Sequence, residues 1–200
     1  MTKPSLEFWF EFASTYSYLS AMRLPEAAQA AGVDVRWRPF LLGPIFAVQG
    51  WDTSPFNIFA AKGRYMWRDM DRRAAQLGLS IQKPDPFPQN GLLAARVAQI
   101  ALTRPEGVAF CQTVYRAQFE EGLDISDATV VAACAGAVGL PDDILPAAQD
   151  AANKLALRET TAEATRRGLF GAPSFLIEDE LFWGDDRLED ALDWAAGHTA

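Results

Sequence analysis

Apolar and polar residues alternate at the start of the chain. Leu6, Phe8, Phe10 and Phe12 fall on one side; Ser5, Glu7, Trp9 and Glu11 fall on the other. Period 2 predicts a strand with one buried face, and it turns Glu11 toward solvent. At Ala13-Ser14 the period changes. Tyr16, Leu19, Ser20, Leu24 and Ala27 follow at helical spacing. The pattern predicts a helix over about 16–31, stopped by Gly32. Residues 33–40 alternate again. Strand, helix and strand in close succession form a unit whose strands run parallel through a right-handed crossover.

The middle of the chain is helical in period. A short helix is predicted over 41–50. A loop follows over 51–59, where Asp52, Ser54, Pro55 and Asn57 gather. Helices are predicted over 62–77, 92–102 and 108–121, with a Pro-rich loop over 85–90. Ser126 caps a further helix that reaches about 138, and helices over 141–149 and 151–167 complete the block. Strand patterns return at 173–177 and 181–183 around a turn at 178–180. The last helix begins at Gly184-Asp185-Asp186, where acids suit the positive end of the helix dipole. Strands at the two ends of the chain must share one sheet to bury their apolar faces. The predicted fold class is α/β. Residues 1–40 and 168–200 form a discontinuous domain with a four-stranded mixed sheet, and an all-helical domain, 41–167, is inserted between them.

Composition narrows the function. The chain has 200 residues, is 50% hydrophobic and carries a net charge of −8. An acidic chain is a poor candidate for phosphate surfaces, which need clustered Lys and Arg, so neither nucleic acid nor an anionic membrane is an expected partner. No apolar run reaches the roughly 20 residues of a membrane helix. The N-terminus lacks the pattern of a secretory signal, which makes the cytoplasm the expected compartment. The two cysteines, Cys111 and Cys134, sit in helical patterns as small apolar residues. The one histidine, His198, lies three residues from the end. Neither a Cys/His metal site nor a histidine base is expected.

The candidate chemistry lies where the first strand passes into the first helix. Ser14 and Ser17 stand there three residues apart. A helix N-terminus exposes unpaired N–H groups and favours an anion. The plainer reading of Ser14 is an N-cap, and the two are compatible, because a hydroxyl both accepts and donates. Ser17 is expected to be structural.

The predicted topology resembles the thioredoxin fold with a helical insertion, as in DsbA-like proteins. Ser14-Thr15-Tyr16-Ser17 stands where redox members carry Cys-x-x-Cys, so any thiol must come from outside the chain. The run Phe8-x-Phe10-Glu11-Phe12-x-Ser14-x-Tyr16-Ser17-Tyr18-Leu19 resembles the opening of 2-hydroxychromene-2-carboxylate isomerases and of the related kappa-class glutathione transferases. So, in matching order, do Arg38–Gly43, Ala61–Met66, Phe170–Phe175 and Phe182–Leu188. The resemblance implies glutathione as cofactor, a small aromatic carboxylate as substrate and a homodimer. It implies that Ser14 lies near the glutathione sulfur, and that Ala172-Pro173 is a cis-proline loop whose backbone pairs with the cysteinyl part. It places Asp185 and Asp186 at the γ-glutamyl end, Lys62 near a carboxylate of glutathione or substrate, and Thr53 where relatives often have Asn. Thr15 replaces a more usual Pro. Phe46, Trp51, Tyr65, Trp67 and Trp183 are candidates to line an aryl pocket. The implied activity is interconversion of 2-hydroxychromene-2-carboxylate and trans-o-hydroxybenzylidenepyruvate. A conjugating transferase and a non-catalytic binding module are the alternatives.

Overall fold

The computed structural model describes residues 3–197, so His198 lies outside the described residues. Strand β1 (Ser5–Phe10) leads into helix α1 (Thr15–Ala31), and β2 (Asp34–Pro39) returns beside β1 in parallel, with Phe8 opposite Trp37. Strand β3 (Ser174–Ile177) pairs antiparallel with the other edge of β1, and β4 (Glu180–Trp183) pairs antiparallel with β3. The sheet order is β2-β1-β3-β4. A 3₁₀ turn at Asp185–Arg187 precedes the last of the helices, α10 (Leu188–Ala195).

Between β2 and β3 run eight helices: α2 (Leu42–Val48), α3 (Pro55–Ile58), α4 (Ala60–Gln76), α5 (Leu92–Ala101), α6 (Gly107–Phe119), α7 (Ala128–Ala137), α8 (Ile144–Ala148) and α9 (Ala151–Arg166). The expected 51–59 loop contains the single turn α3. The cap of α7 is Asp127, whose carboxylate accepts from the Thr129 N–H, and not Ser126.

The alternation in β1 proves less one-sided than its pattern implies. Phe8 and Phe10 enter a large core with Trp37, Leu24, Phe175 and Leu188. Trp9, on the opposite face, is equally buried, in a second core with Phe40, Ile45, Ala164, Leu169 and Leu176. Helices α1 and α10, with α5 and α6 of the insertion, cover the Phe8 face of the sheet, and α2 and α9 cover the Trp9 face. The central strand therefore has no solvent face near its C-terminal end, and Glu11 is buried too, at 7% exposure, against the expectation of a solvent-facing residue.

The helical insertion is fastened over the start of α1. Thr15 donates to the Met66 sulfur at 3.3 Å, and the Tyr16 hydroxyl donates to Asp69 at 2.9 Å, both partners lying on α4. Helix α4 in turn meets α3 at Gly63, where any Cβ would overlap the carbonyl oxygen of Phe56. A Gly63→Ala substitution is expected to destabilise the protein by about 1–3 kcal/mol, because backbone must shift to admit the methyl. In a thermal melt this lowers the midpoint by roughly 2–12 °C for a chain of this size.

Candidate active site

A cleft of about 1550 Å³ opens where the two halves meet. Its floor is the turn from β1 into α1. One wall comes from the sheet half, with Phe170, Gly171, Ala172, Trp183, Gly184 and Asp186; the other comes from α2, α3, α4 and the 87–92 loop.

Ser14 stands at the centre of the floor. It is extended, with φ −86° and ψ 117°, and its hydroxyl accepts from the Ser17 N–H at 3.1 Å, which makes it the N-cap of α1. The same hydroxyl donates to the Ala172 carbonyl at 2.9 Å. The cap and the opposite loop thus meet on one oxygen. The Ala172–Pro173 bond is cis, in accord with the expectation, and Ser174 caps the loop from behind by donating to the Gly171 carbonyl. Ser17 is fully buried one turn into α1, and its N–H is the one that donates to Ser14.

The acidic pair at 185–186 divides. Asp186 is exposed at the cleft and pairs with Arg187. Asp185 is 1% exposed and surrounded by donors: Ser20 at 2.9 Å and the Arg23 guanidinium at 3.1 Å on one oxygen, Arg73 at 2.5 Å on the other. Asp185 also lines the cleft, but both oxygens of its carboxylate are engaged inside the protein. Arg73 was not among the residues singled out from sequence. Its signal was the spacing Lys62, Tyr65, Asp69, Arg73, a polar stripe on α4 beside the buried Met66, Met70 and Ala74. All four members of that stripe line the cleft.

Lys62 lies at the mouth with its ammonium 4.8 Å from the centre of the Phe59 ring, and it makes no salt bridge among the described residues. Thr53 lines the cleft and accepts from the Asn57 amide at 3.3 Å. Phe46, Trp51, Tyr65 and Trp183 line it as expected. Trp67 does not. It turns to the other side of α4, edge-on to Phe87 at 4.9 Å, beside a shallow groove with Arg64 and Lys83. Gly171 leaves room for the Trp183 indole, whose nitrogen a Cβ would strike.

Two groups set the electrostatics. Burial, partly opposed by N–H donation from Leu42 at 3.0 Å and Ala13 at 3.4 Å, raises the Glu11 carboxyl from 4.5 to about 7. Burial and the neighbouring Asp69 carboxylate raise the Tyr16 phenol above its ordinary range. The chain's own thiols are unavailable: Cys111 and Cys134 are buried, and burial pushes both upward, Cys134 to about 11.

A sheet of this order, an N-capped α1 following its central strand and a cis-proline loop facing the cap define a thioredoxin-type protein with serines, not thiols, at the head of α1. The DSBA-like thioredoxin domain family matches residues 5–193, and the chain belongs to it. Within it the chain belongs with the 2-hydroxychromene-2-carboxylate isomerases. It is 31% identical over 191 residues to the isomerase of Sphingobium xenophagum, covering 94% of this chain and 96% of that one. It is 25% identical over 203 residues to human glutathione S-transferase kappa 1, covering 92% of this chain and 88% of that protein. A solved 2-hydroxychromene-2-carboxylate isomerase superposes with a TM-score of 0.85 at 25% identity, covering 96% and 94% of the two chains.

Two outcomes follow from the acids. Asp185→Ala is expected to cost about 3 kcal/mol in urea unfolding, because it strands two partly buried guanidinium groups. Asp186→Ala is expected to stay within about 0.5 kcal/mol. Glu11 acts in the opposite sense with pH. Its folded-state value is raised, so its contribution is intact below 4.5 and is lost as pH rises through about 7. Glu11→Gln removes that loss, so unfolding measured from pH 4.5 to 8 should move in the variant's favour by up to about 3 kcal/mol.

Proposed function

We propose that the protein is a cytoplasmic, homodimeric, glutathione-dependent isomerase that interconverts 2-hydroxychromene-2-carboxylate and trans-o-hydroxybenzylidenepyruvate. The observation that carries this reading is the Ser14 hydroxyl at the head of α1, 2.9 Å from the Ala172 carbonyl across the cleft. The residues present fit glutathione. Gly171 and Gly184 admit the Trp183 indole and the Asp186 carboxylate close to the backbone of the cleft wall, and the chain's own thiols are buried.

On this reading the Ala172 backbone pairs with the cysteinyl part as an added strand would. Asp186 receives the γ-glutamyl ammonium, and first-turn N–H groups of the 185–188 segment face its carboxylate. Asp185 acts one step back, holding Arg73 in the cleft wall. Thr53 and Asn57 offer polar contacts on the insertion side. Bound glutathione supplies a thiolate that adds reversibly to a conjugated double bond, so the bond turns as a single bond and re-forms on elimination. Ser14 would turn its one hydroxyl hydrogen from the Ala172 carbonyl to the thiolate while still accepting from the Ser17 N–H, and the α1 dipole favours the charge. The aromatic wall of Phe46, Trp51 and Tyr65 positions the aryl group and excludes water. Lys62, free of an acidic partner among the described residues, meets the substrate carboxylate.

Calorimetry with reduced glutathione tests the cofactor: no heat of binding at millimolar ligand would remove both this reading and a conjugating transferase. Product analysis separates those two, since an isomerase leaves total glutathione unchanged and a transferase consumes it. Ser14→Ala is expected to lower kcat by roughly 10²–10³ with glutathione affinity within a few-fold of wild type. Unchanged turnover would show that the helix end alone activates the sulfur.

A further inference from the structure

Glu11 has no part in the mechanism above, yet it is an unusual residue to find on this floor. It is 7% exposed, lines the cleft, and has no cationic partner among the described residues. Its position is built. One carboxylate oxygen accepts from the Leu42 N–H at the start of α2, the other from the Ala13 N–H. Gly91 leaves the second oxygen uncovered, since a Cβ there would lie 3.2 Å from it and 3.0 Å from the Phe12 Cβ. Gln89, on the same floor and 4% exposed, spends its amide oxygen on the Ile125 N–H and leaves its nitrogen without a partner. These polar groups lie on the insertion side, beside Leu42, Gly91 and Leu92, and away from the Ala172 and Asp186 wall.

We propose that Glu11 is the acid–base group for the second ligand, exchanging one proton with a phenolic or enolic oxygen of an aryl carboxylate held in the apolar half of the cleft. The proposal rests on the isomerase reading for its reaction and on Glu11's own surroundings for its chemistry. The step is balanced. The ligand's O–H bond breaks, its electron pair stays on the ligand oxygen, and the proton forms an O–H bond on the Glu11 carboxylate; the reverse step returns it. In the isomerisation, the protonated carboxyl gives its proton to the carbonyl oxygen as a thiolate's addition to the conjugated bond places charge there, and takes it back on elimination.

Burial sets Glu11 to change charge near neutrality, so one group serves in both directions. No other ionised group competes for it. Tyr115 on α6 donates its hydroxyl to the Glu11 backbone carbonyl and is itself raised well above its ordinary range by burial. Arg38 on β2 is turned to Glu7 and Glu163. On α4, Asp69 is held by Tyr16 and Arg72, Arg73 by Asp185, and Lys62 lies over Phe59. Helices α2 and α5 bring no charged side chain to the carboxyl: α2 has none, and Arg96 of α5 bonds Gln149.

The test uses the full-length protein without glutathione and two probes, trans-2-hydroxycinnamate and trans-2-methoxycinnamate, titrated calorimetrically from pH 6 to 8. Comparing the two cancels the effect of Glu11's charge on the shared carboxylate. The hydroxy-to-methoxy affinity ratio is expected to rise roughly tenfold across this range, because an ionised carboxylate accepts the phenol hydrogen more strongly than the neutral acid does. In Glu11→Gln the ratio should be flat. A flat ratio in the wild type, an unchanged slope in Glu11→Gln, or failure of both probes to bind would overturn the proposal. Glutathione titrated into the same samples gives a separate reading. Heat with glutathione and a flat probe ratio overturns the role of Glu11 alone; a pH-dependent probe ratio without glutathione heat overturns the isomerase reading and keeps the proton exchange.

Discussion

Two halves of one chain face each other across the cleft, and the buried Asp185 carboxylate ties them. It accepts from Ser20 and Arg23 on α1 and from Arg73 on α4, so three elements from distant parts of the sequence converge on two oxygens. A carboxylate 1% exposed is stable as an anion only when donors replace its lost water, and here they do. The arrangement fixes α4 relative to α1, and so the distance between the stripe on α4 and the serine at the head of α1. Thr15 and Tyr16 add shorter ties at the same seam. Without this seam the cleft would have a floor and one wall.

Ser14 concentrates several demands on one oxygen. A cap needs an acceptor for the Ser17 N–H, and the facing loop needs a donor for the Ala172 carbonyl. A hydroxyl meets both, whereas a thiol would meet each weakly. On the proposed reading the hydroxyl hydrogen would leave the Ala172 carbonyl for the thiolate, while the cap to the Ser17 N–H stays in place.

The order of elements was legible because each periodic segment is long or sharply bounded: the β1 alternation, the Gly32 stop and the cis-proline context at Gly171-Ala172-Pro173 all read locally. What was not legible depends on contacts across the chain. Trp9 and Glu11 sit at polar positions of a period-2 pattern, but the second helical layer over the sheet buries them. Asp185 and Asp186 are the same residue type at adjacent positions; the approach of Ser20, Arg23 and, from 112 residues earlier, Arg73 separates a buried anchor from an exposed acid. Trp67 shares a helix with Tyr65 and looks equally suited to a pocket, yet it falls on the far side of α4 from the Lys62 to Arg73 stripe. Asp127 displaces Ser126 as a cap by a single residue, within the resolution of any pattern.

The contact between Ser14 and Ala172 joins residues 158 positions apart. During synthesis Ser14 leaves the ribosome early, and α1 can form behind β1 and β2 while the loop that faces it has not been made. A polypeptide broken off before Ala172 lacks the loop that faces Ser14, and with it one wall of the cleft. On the proposed reading, a ligand would therefore report that the loop carrying Ala172 has been made and has closed against the head of α1.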